Sequence, residues 1–138
     1  MTPAEARALF ETARVARLAT ADARGVPHLV PICFALDGDR VVTAVDHKPK
    51  RTNRLRRLEN IADNPAATAL ADIYDDDWTR LWWARADGAA RSEGPGSPEH
   101  RRVVELLAER YPQYLEHPPQ GAAIVISVSH WSEWRYDQ

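Results

Sequence analysis

The stretch ARLATADARGVPHLVPICFALDGDRVVTAVDHKPKRTNRLRRLENIADNP, residues Ala16–Pro65, decides which fold this 138-residue chain is expected to adopt. Its apolar and β-branched residues come in short runs separated by turn signals, which predicts three strands joined by two turns. The strands cover residues 15–20, His28 to Leu36 and Arg40 to Val45, and the turns lie at Asp22 to Gly25 and at the hairpin signal Asp37-Gly38. Pro27 and Pro31 lack the N–H donor that a ladder needs, so the second strand should be bulged or lie at a sheet edge.

The remainder of the chain adds helices and longer strands. Thr2 as cap, Pro3 and Glu5 predict a first helix that runs to about Ala13. The other predicted elements are a helix over Thr52 to Asp63, strands over Ala67 to Tyr74, Leu81 to Arg91 and Ala122 to Trp134, a helix from Ser97-Pro98, and a loop over Pro112 to Pro119. Six strands with short connections favour an antiparallel sheet, and the few helices favour a small barrel in one domain, residues 1–138.

Composition limits the class of protein. Hydrophobic residues make up 44% of the chain and charged residues 28%, as in soluble globular proteins. No apolar run approaches the roughly 20 residues that span a bilayer, and the N-terminus lacks a signal-peptide pattern, so a cytoplasmic location is expected. Cys33 is the only cysteine, which excludes an internal disulfide and a thiolate metal cluster.

The segment DHKPKRTNRLRR, Asp46–Arg57, concentrates positive charge in a chain whose net charge is −2. It lies where the third strand leads into a helix, and a helix start presents unpaired N–H groups with partial positive charge. Oriented donors beside cations are how proteins bind phosphate, although a solvated charged helix is the competing interpretation. The residues assigned to the anion are Lys48, Lys50, Arg51, Thr52 and Arg54, while Arg56 and Arg57 are expected to be ordinary surface. The acidic remainder of the chain argues against nucleic acid.

Three tryptophans occur within DDDWTRLWWARADG, Asp75–Gly88. Trp82 and Trp83 are adjacent on a predicted strand, so they should face opposite sides of the sheet. One can pack in the core, and the other would cover a partner subunit or a flat ligand, although packing alone explains each of them. The three aspartates lack the alternating spacing of a calcium loop, and no metal site is predicted.

Other candidates carry weaker signals. Cys33 on an apolar strand is typical of a small core residue. The five histidines are scattered without metal-ligand spacing, and His47 could assist a ligand only as a neighbour of the basic segment. Neither a nucleophile elbow nor a dinucleotide fingerprint is present, so an enzyme of this sequence would rely on a cofactor.

Three patterns, LAT.D..G.PH.VP..F, DG..V.TA and K..R.NRL...I..NP, together with the Trp-rich hairpin, resemble the pyridoxamine 5'-phosphate oxidase-like split-barrel proteins. Within that family the chain is most similar to the F420-dependent oxidoreductase branch, from about Phe10 to Gly94. The resemblance implies a six-stranded antiparallel split β-barrel of the FMN-binding type, and a homodimer with two cofactor sites between the subunits.

The same resemblance implies roles for individual residues. Pro31, Ile32 and Cys33 would approach the tricyclic ring, and Thr43, Ala44 and Val45 would line the ring-side strand. The basic residues would hold the phosphate and the acidic tail, and Trp78, Trp82 or Trp83 would come from the partner subunit. Coenzyme F420 carries a phosphodiester and a polyglutamate tail, so it matches the surplus of positive charge better than FMN does.

The implied chemistry is hydride transfer between the deazaflavin and an unidentified small organic substrate. An FMN-dependent oxidoreductase and a non-catalytic flavin- or deazaflavin-binding protein stay open as alternatives on the same fold. A nucleic-acid-binding module is the least favoured.

Overall fold

The computed structural model describes residues 2–46 and 55–136, and these residues form one curled antiparallel sheet of seven strands with helices packed against it. The strands are β1 (Ala16–Ala21), β2 (Pro27–Ile32), β3 (Ala35–Asp37), β4 (Arg40–Ala44), β5 (Ala66–Ile73), β6 (Trp82–Glu93) and β7 (Ala123–Arg135). The helices are α1 (Pro3–Glu11), α2 (Arg56–Asp63), α3 (Pro98–Arg110) and α4 (Gln113–Glu116), and a 3-10 turn covers Trp78–Arg80.

The strand order is β2-β1-β5-β6-β7-β4-β3. β2 and β3 are consecutive in the chain and separated only by Cys33 and Phe34, yet they occupy opposite edges of the sheet. The sheet must therefore curl until its two edges meet at this short connection, which produces a barrel that is split between them. The edge position of β2 agrees with the expectation from its two prolines.

Local signals explain the first elements. The Thr2 hydroxyl accepts a hydrogen bond from the Glu5 N–H at 3.1 Å, so α1 begins at the predicted cap. Gly38 adopts a φ of 63° in the turn between β3 and β4, a conformation that glycine accepts without strain.

The inward side chains of the curled sheet form the main core. Phe10 of α1 packs edge-on against Phe34 and Trp131, with ring centroids 4.8 and 5.5 Å away. Leu18, Ile124 and Ile126 complete this fully buried layer, so α1 fills the barrel interior.

A second, smaller core lies on the outer face of the sheet, where α3 covers β3, β4 and the first half of β7. Val103 and Leu107 of α3 are buried there against Val42 and Val125. The helix covers only this part of the outer face and leaves the face of β1, β2, β5, β6 and the second half of β7 open.

Two sequence expectations about element boundaries were wrong. The predicted strand from His28 to Leu36 is two strands, so the sheet has seven strands instead of six, because the Phe34 N–H donates to the Tyr111 hydroxyl at 3.1 Å instead of continuing a ladder. The helix predicted from Thr52 begins at Arg56, because Leu55 is extended with φ −99° and ψ 137°.

The short helix α4 also lies within the stretch 112–119 that was predicted as loop.

Candidate functional site

The open part of the outer face forms a broad apolar cavity of ≈ 770 Å³. Because side chains alternate along strands, Leu29, Leu70, Trp83 and Trp134 all project from this face. Leu29 is 65% exposed and Trp134 is 41% exposed, which is a large apolar area to leave in water. The face therefore suits a partner surface or a flat ligand.

Charged groups on the same face are already paired within the chain. Arg17 Nη1 lies 2.7 Å from the Asp72 carboxylate, and Arg85 Nε lies 3.1 Å from Asp87. The Arg85 guanidinium also lies 5.5 Å from the centre of the Trp83 ring. Covering this face would therefore bury the Arg17 and Arg85 side chains together with their carboxylate partners and not as unpaired charges.

The two adjacent tryptophans face opposite sides of β6, as the alternation predicts. Trp82 packs against the main core and also borders the cavity, whereas Trp83 projects from the outer face. Trp78 lies on the 3-10 turn beside the cavity, is 58% exposed and donates its Nε1–H to the Tyr74 hydroxyl at 3.4 Å. Of the predicted partner-contacting tryptophans, Trp78 is thus exposed, while Trp82 and Trp83 are both half-buried at the cavity.

The predicted ring-side residues of the second strand are divided among three environments. Pro31 is exposed on the outer face, Ile32 is buried in the main core, and Cys33 is half-buried at the connection between β2 and β3. Only Pro31 and Cys33 therefore have surface that a ligand could reach.

The predicted residues of β4 lie next to Cys33. The Thr43 hydroxyl is buried and donates to the Cys33 carbonyl at 2.6 Å, which ties β4 to the connection. Ala44 is half-buried at the rim of the second core, and Val45 is buried with its backbone bonded to Ala122 and Gly121. The structure thus brings Cys33, Thr43 and Ala44 together where β4 ends.

A second cluster forms at the start of α2, which is attached to the sheet by the buried hydrogen bond from Asn60 Nδ2 to the Thr20 hydroxyl at 3.1 Å. His28 lies opposite Thr20 on β2. The Nδ1 atom of His28 is buried and has no hydrogen-bond partner in residues 2–46 and 55–136. Burial lowers the pKa of His28 below its usual value of 6.5, and the positive charges of Arg56 and Arg57 lower it further.

This cluster has the chemistry of an anion site. Burial also lowers the pKa of Arg57, because water solvates the charged guanidinium less well at this position. Leu55 precedes the helix and provides no side-chain cap to its first N–H groups. A buried imidazole nitrogen, two guanidinium groups and helix N–H groups that the Leu55 side chain does not cap fit a phosphate group.

Sequence reasoning missed this cluster. It treated His28 as one of five scattered histidines and expected Arg56 and Arg57 to be ordinary surface. Arg56 is exposed as expected, whereas Arg57 is half-buried. Side-chain capping chemistry could not have found the start of α2, because the N-cap residue Leu55 has no capping group whereas Thr52 has one.

The predicted phosphate ligands Lys48, Lys50, Arg51, Thr52 and Arg54 lie outside the described residues, as does His47. The described chain flanks them on both sides, with Asp46 near Tyr114 at one end and the His28 cluster at the other. Their assignment stays a prediction.

Within residues 2–46 and 55–136, no group of three or more His, Cys, Asp or Glu side chains is placed to hold a metal ion. The aspartates of the Asp75–Asp77 turn instead bond locally, Asp77 accepting from the Thr79 N–H at 3.1 Å and hydroxyl at 2.7 Å. No helix among the described residues is long and apolar enough to cross a membrane.

Comparison with known proteins agrees with this architecture. The family model of pyridoxamine 5'-phosphate oxidase matches residues 2–135, so the chain belongs to that family, and its curled sheet is the split barrel that the resemblance implied. No curated protein sequence matches the chain.

Several solved structures share the fold. The conserved hypothetical protein Rv2991 from Mycobacterium tuberculosis has a TM-score of 0.76 at 20% identity, over 98% of this chain and 85% of that one. HutZ, the heme storage protein from Vibrio cholerae, has a TM-score of 0.71 at 16% identity, over 98% and 95%. An FAD-binding protein from Mesorhizobium loti has a TM-score of 0.70 at 17% identity, over 96% and 94%. At these identities the likeness concerns the fold alone.

Proposed function

We propose that this protein is an oxidoreductase that binds coenzyme F420, with the cofactor phosphate held at the start of α2. The observation that carries the proposal is the cluster of His28, Arg56 and Arg57 at a helix start that the Leu55 side chain does not cap. It lies at one end of the Asp46–Arg57 segment, whose further cations exceed what a single phosphate requires. That excess favours a cofactor with an acidic tail over FMN.

The distance between the His28 cluster and the group formed by Cys33, Thr43 and Ala44 supports a ligand with a phosphate at one end and a ring at the other. His28 and Cys33 are five residues apart along β2 and its continuation, which corresponds to about 16 Å of extended chain. When bound, F420 supplies a ring carbon that accepts or donates hydride. The chain's own contribution is to fix the phosphate with Arg56 and Arg57, to place Cys33 and Ala44 beside the ring, and to exclude water.

The open outer face supports a homodimer in which each subunit completes the other's site. A second copy packed on the aromatic face would cover Leu29 and Trp134, whose exposure is otherwise unexplained, together with the half-buried Trp83. The internally paired charges of Arg17 and Arg85 allow that burial. Trp78 would then reach the partner's cofactor.

FMN is the alternative cofactor, because the His28 cluster by itself provides enough donors for one phosphate. A non-catalytic cofactor-binding protein is the other alternative, since the fold is shared with HutZ, which is described as a heme storage protein. Oxidation of bound reduced cofactor that depends on an added organic substrate separates an enzyme from a carrier.

The phosphate assignment is tested with Arg57→Gln, which keeps a polar side chain and removes the charge. Losing a charged hydrogen bond of about 1.5–3 kcal/mol should weaken F420 binding roughly tenfold to hundredfold. Arg101→Gln, on the exposed side of α3, is the matched control and should bind normally.

Lys50→Ala and Arg54→Ala test the neighbouring segment in the same titration. Each should weaken binding while the dimer stays folded. Unchanged affinity in both variants and in Arg57→Gln would remove the phosphate site from this part of the chain.

A further inference from the structure

Tyr114 occupies a position that the sequence did not single out. It lies on the short helix α4 and is half-buried at the rim of the second core, where Cys33 and Ala44 also lie. The Cys33 and Asp46 side chains lie close enough to its hydroxyl to raise the pKa of Tyr114. Tyr114 therefore stands at the point where the predicted ring-side residues converge and the basic segment begins.

The ring of Tyr114 is held by a rigid neighbour. Tyr111 is buried and packs against it edge-on, with ring centroids 5.9 Å apart. The Tyr111 hydroxyl accepts from the Phe34 N–H and donates to the Arg14 carbonyl at 2.9 Å, so it cannot turn away. Arg110 adds a hydrogen bond to the same oxygen at 3.3 Å. Tyr114 is thus positioned by a fixed framework, although its own helix is short.

The hydroxyl of Tyr114 is available as a donor. A phenol has one proton and two acceptor lone pairs, and a thiol can donate weakly to one of those lone pairs. The pKa of Tyr114 is raised above its usual value, mainly by burial and further by the neighbouring Cys33 and Asp46, so the phenol keeps its proton across the physiological range. A neutral, positioned O–H suits a carbonyl or ring nitrogen of a flat heterocycle.

We propose that Tyr114 is a cofactor-contacting residue that donates a hydrogen bond to the ring end of the bound cofactor, with Cys33 alongside it. The inference rests on the proposed function, because it places the ring beside Cys33 and Ala44. It adds a specific donor to a site for which the sequence offered only apolar ring-side residues.

The test is Tyr114→Phe in the full chain, titrated with F420 and, in parallel, with FMN. Loss of one neutral hydrogen bond should weaken binding of the cofactor that the wild type accepts roughly threefold to tenfold. The absorbance maximum of the bound cofactor should also shift, since a hydrogen bond to the ring perturbs its spectrum. The thermal midpoint should stay near that of the wild type, because the ring that packs on Tyr111 is kept.

Tyr111→Phe is the matched control, since it removes the hydroxyl of the adjacent tyrosine. It should lower the thermal midpoint and leave the spectrum of the bound cofactor unchanged. Alkylation of Cys33 by iodoacetamide gives an independent readout, and bound cofactor should slow it in the wild type.

The possible outcomes separate the two proposals. If the wild type binds F420 or FMN, and Tyr114→Phe leaves both affinity and spectrum unchanged, the role of Tyr114 is refuted and the proposed function stands. If the wild type binds neither cofactor, both fall together. Protection of Cys33 without any effect of Tyr114→Phe would also refute the Tyr114 contact, because the ring would then lie near the thiol but not the phenol.

Discussion

Replacing Leu29 with aspartate should dissociate the proposed homodimer. Leu29 is 65% exposed on the outer face, beside Trp83 and Trp134 in the same cavity. It has no role in the core of its own chain, since β2 buries the opposite face. The substitution should therefore leave the fold of each subunit intact while it changes the surface that a second copy would cover.

The size of the effect follows from that exposure. Full burial of a leucine side chain is worth about 1.5–3 kcal/mol, and about two-thirds of it remains to be buried here, or about 1–2 kcal/mol. In a twofold symmetric dimer each substitution counts twice, giving about 2–4 kcal/mol. The dimer dissociation constant should rise roughly 30-fold to 1,000-fold. The aspartate charge adds a desolvation penalty, so this range is a lower bound.

Sedimentation velocity over a concentration series measures the dissociation constant directly. Leu115→Asp is the matched control, because Leu115 is 71% exposed but lies on α4 and does not line the aromatic cavity. A wild-type monomer would refute the reasoning outright. So would a Leu29→Asp variant that stays as dimeric as Leu115→Asp.

Three further predictions concern the framework of the site. Tyr111→Phe leaves the buried Phe34 N–H without its acceptor, so the free energy of unfolding should fall by about 1–3 kcal/mol, measured by urea denaturation; an unchanged midpoint would contradict the role of that bond. Gly121→Ala would place a Cβ 2.5 Å from Val45 Cβ, and the resulting strain should lower the melting temperature by roughly 3–12 °C in calorimetry. The pKa of His28 is lowered in the folded state, so the unfolded chain binds the proton more readily and stability should decline as pH falls below 6.5. His28→Gln should flatten that part of the pH–stability curve, and an identical curve would show that His28 is not buried as described.

Much of the fold could be predicted because its signals are local. The Asp37-Gly38 hairpin, the Thr2 cap and the edge position implied by Pro27 all depend on residues close together in the chain. The interruption between β2 and β3 could not be predicted from local signals. The hydroxyl that accepts a hydrogen bond from the Phe34 N–H belongs to Tyr111, 77 residues further on. No pattern within the strand itself records that contact.

The candidate site also has a part that the sequence predicts from local signals and a part that depends on distant contacts. The concentration of cations in Asp46–Arg57 is visible in the sequence and predicts an anion site near a helix start, and that assignment stays a prediction. The helix start was misplaced because amphipathic spacing alone does not tell an extended Leu55 from a helical one. His28 was overlooked because its burial depends on its position beside α2. Arg57 of that helix lies 29 positions further along the chain.

The central claim, that the chain binds a deazaflavin at the Asp46–Arg57 segment, is tested most directly by titrating the purified wild-type protein with F420 and FMN side by side and recording tryptophan fluorescence. The account predicts saturable quenching by F420 at micromolar concentration and much weaker quenching by FMN. A protein that purifies yellow with bound flavin, or one whose fluorescence responds to FMN and not to F420, would contradict it.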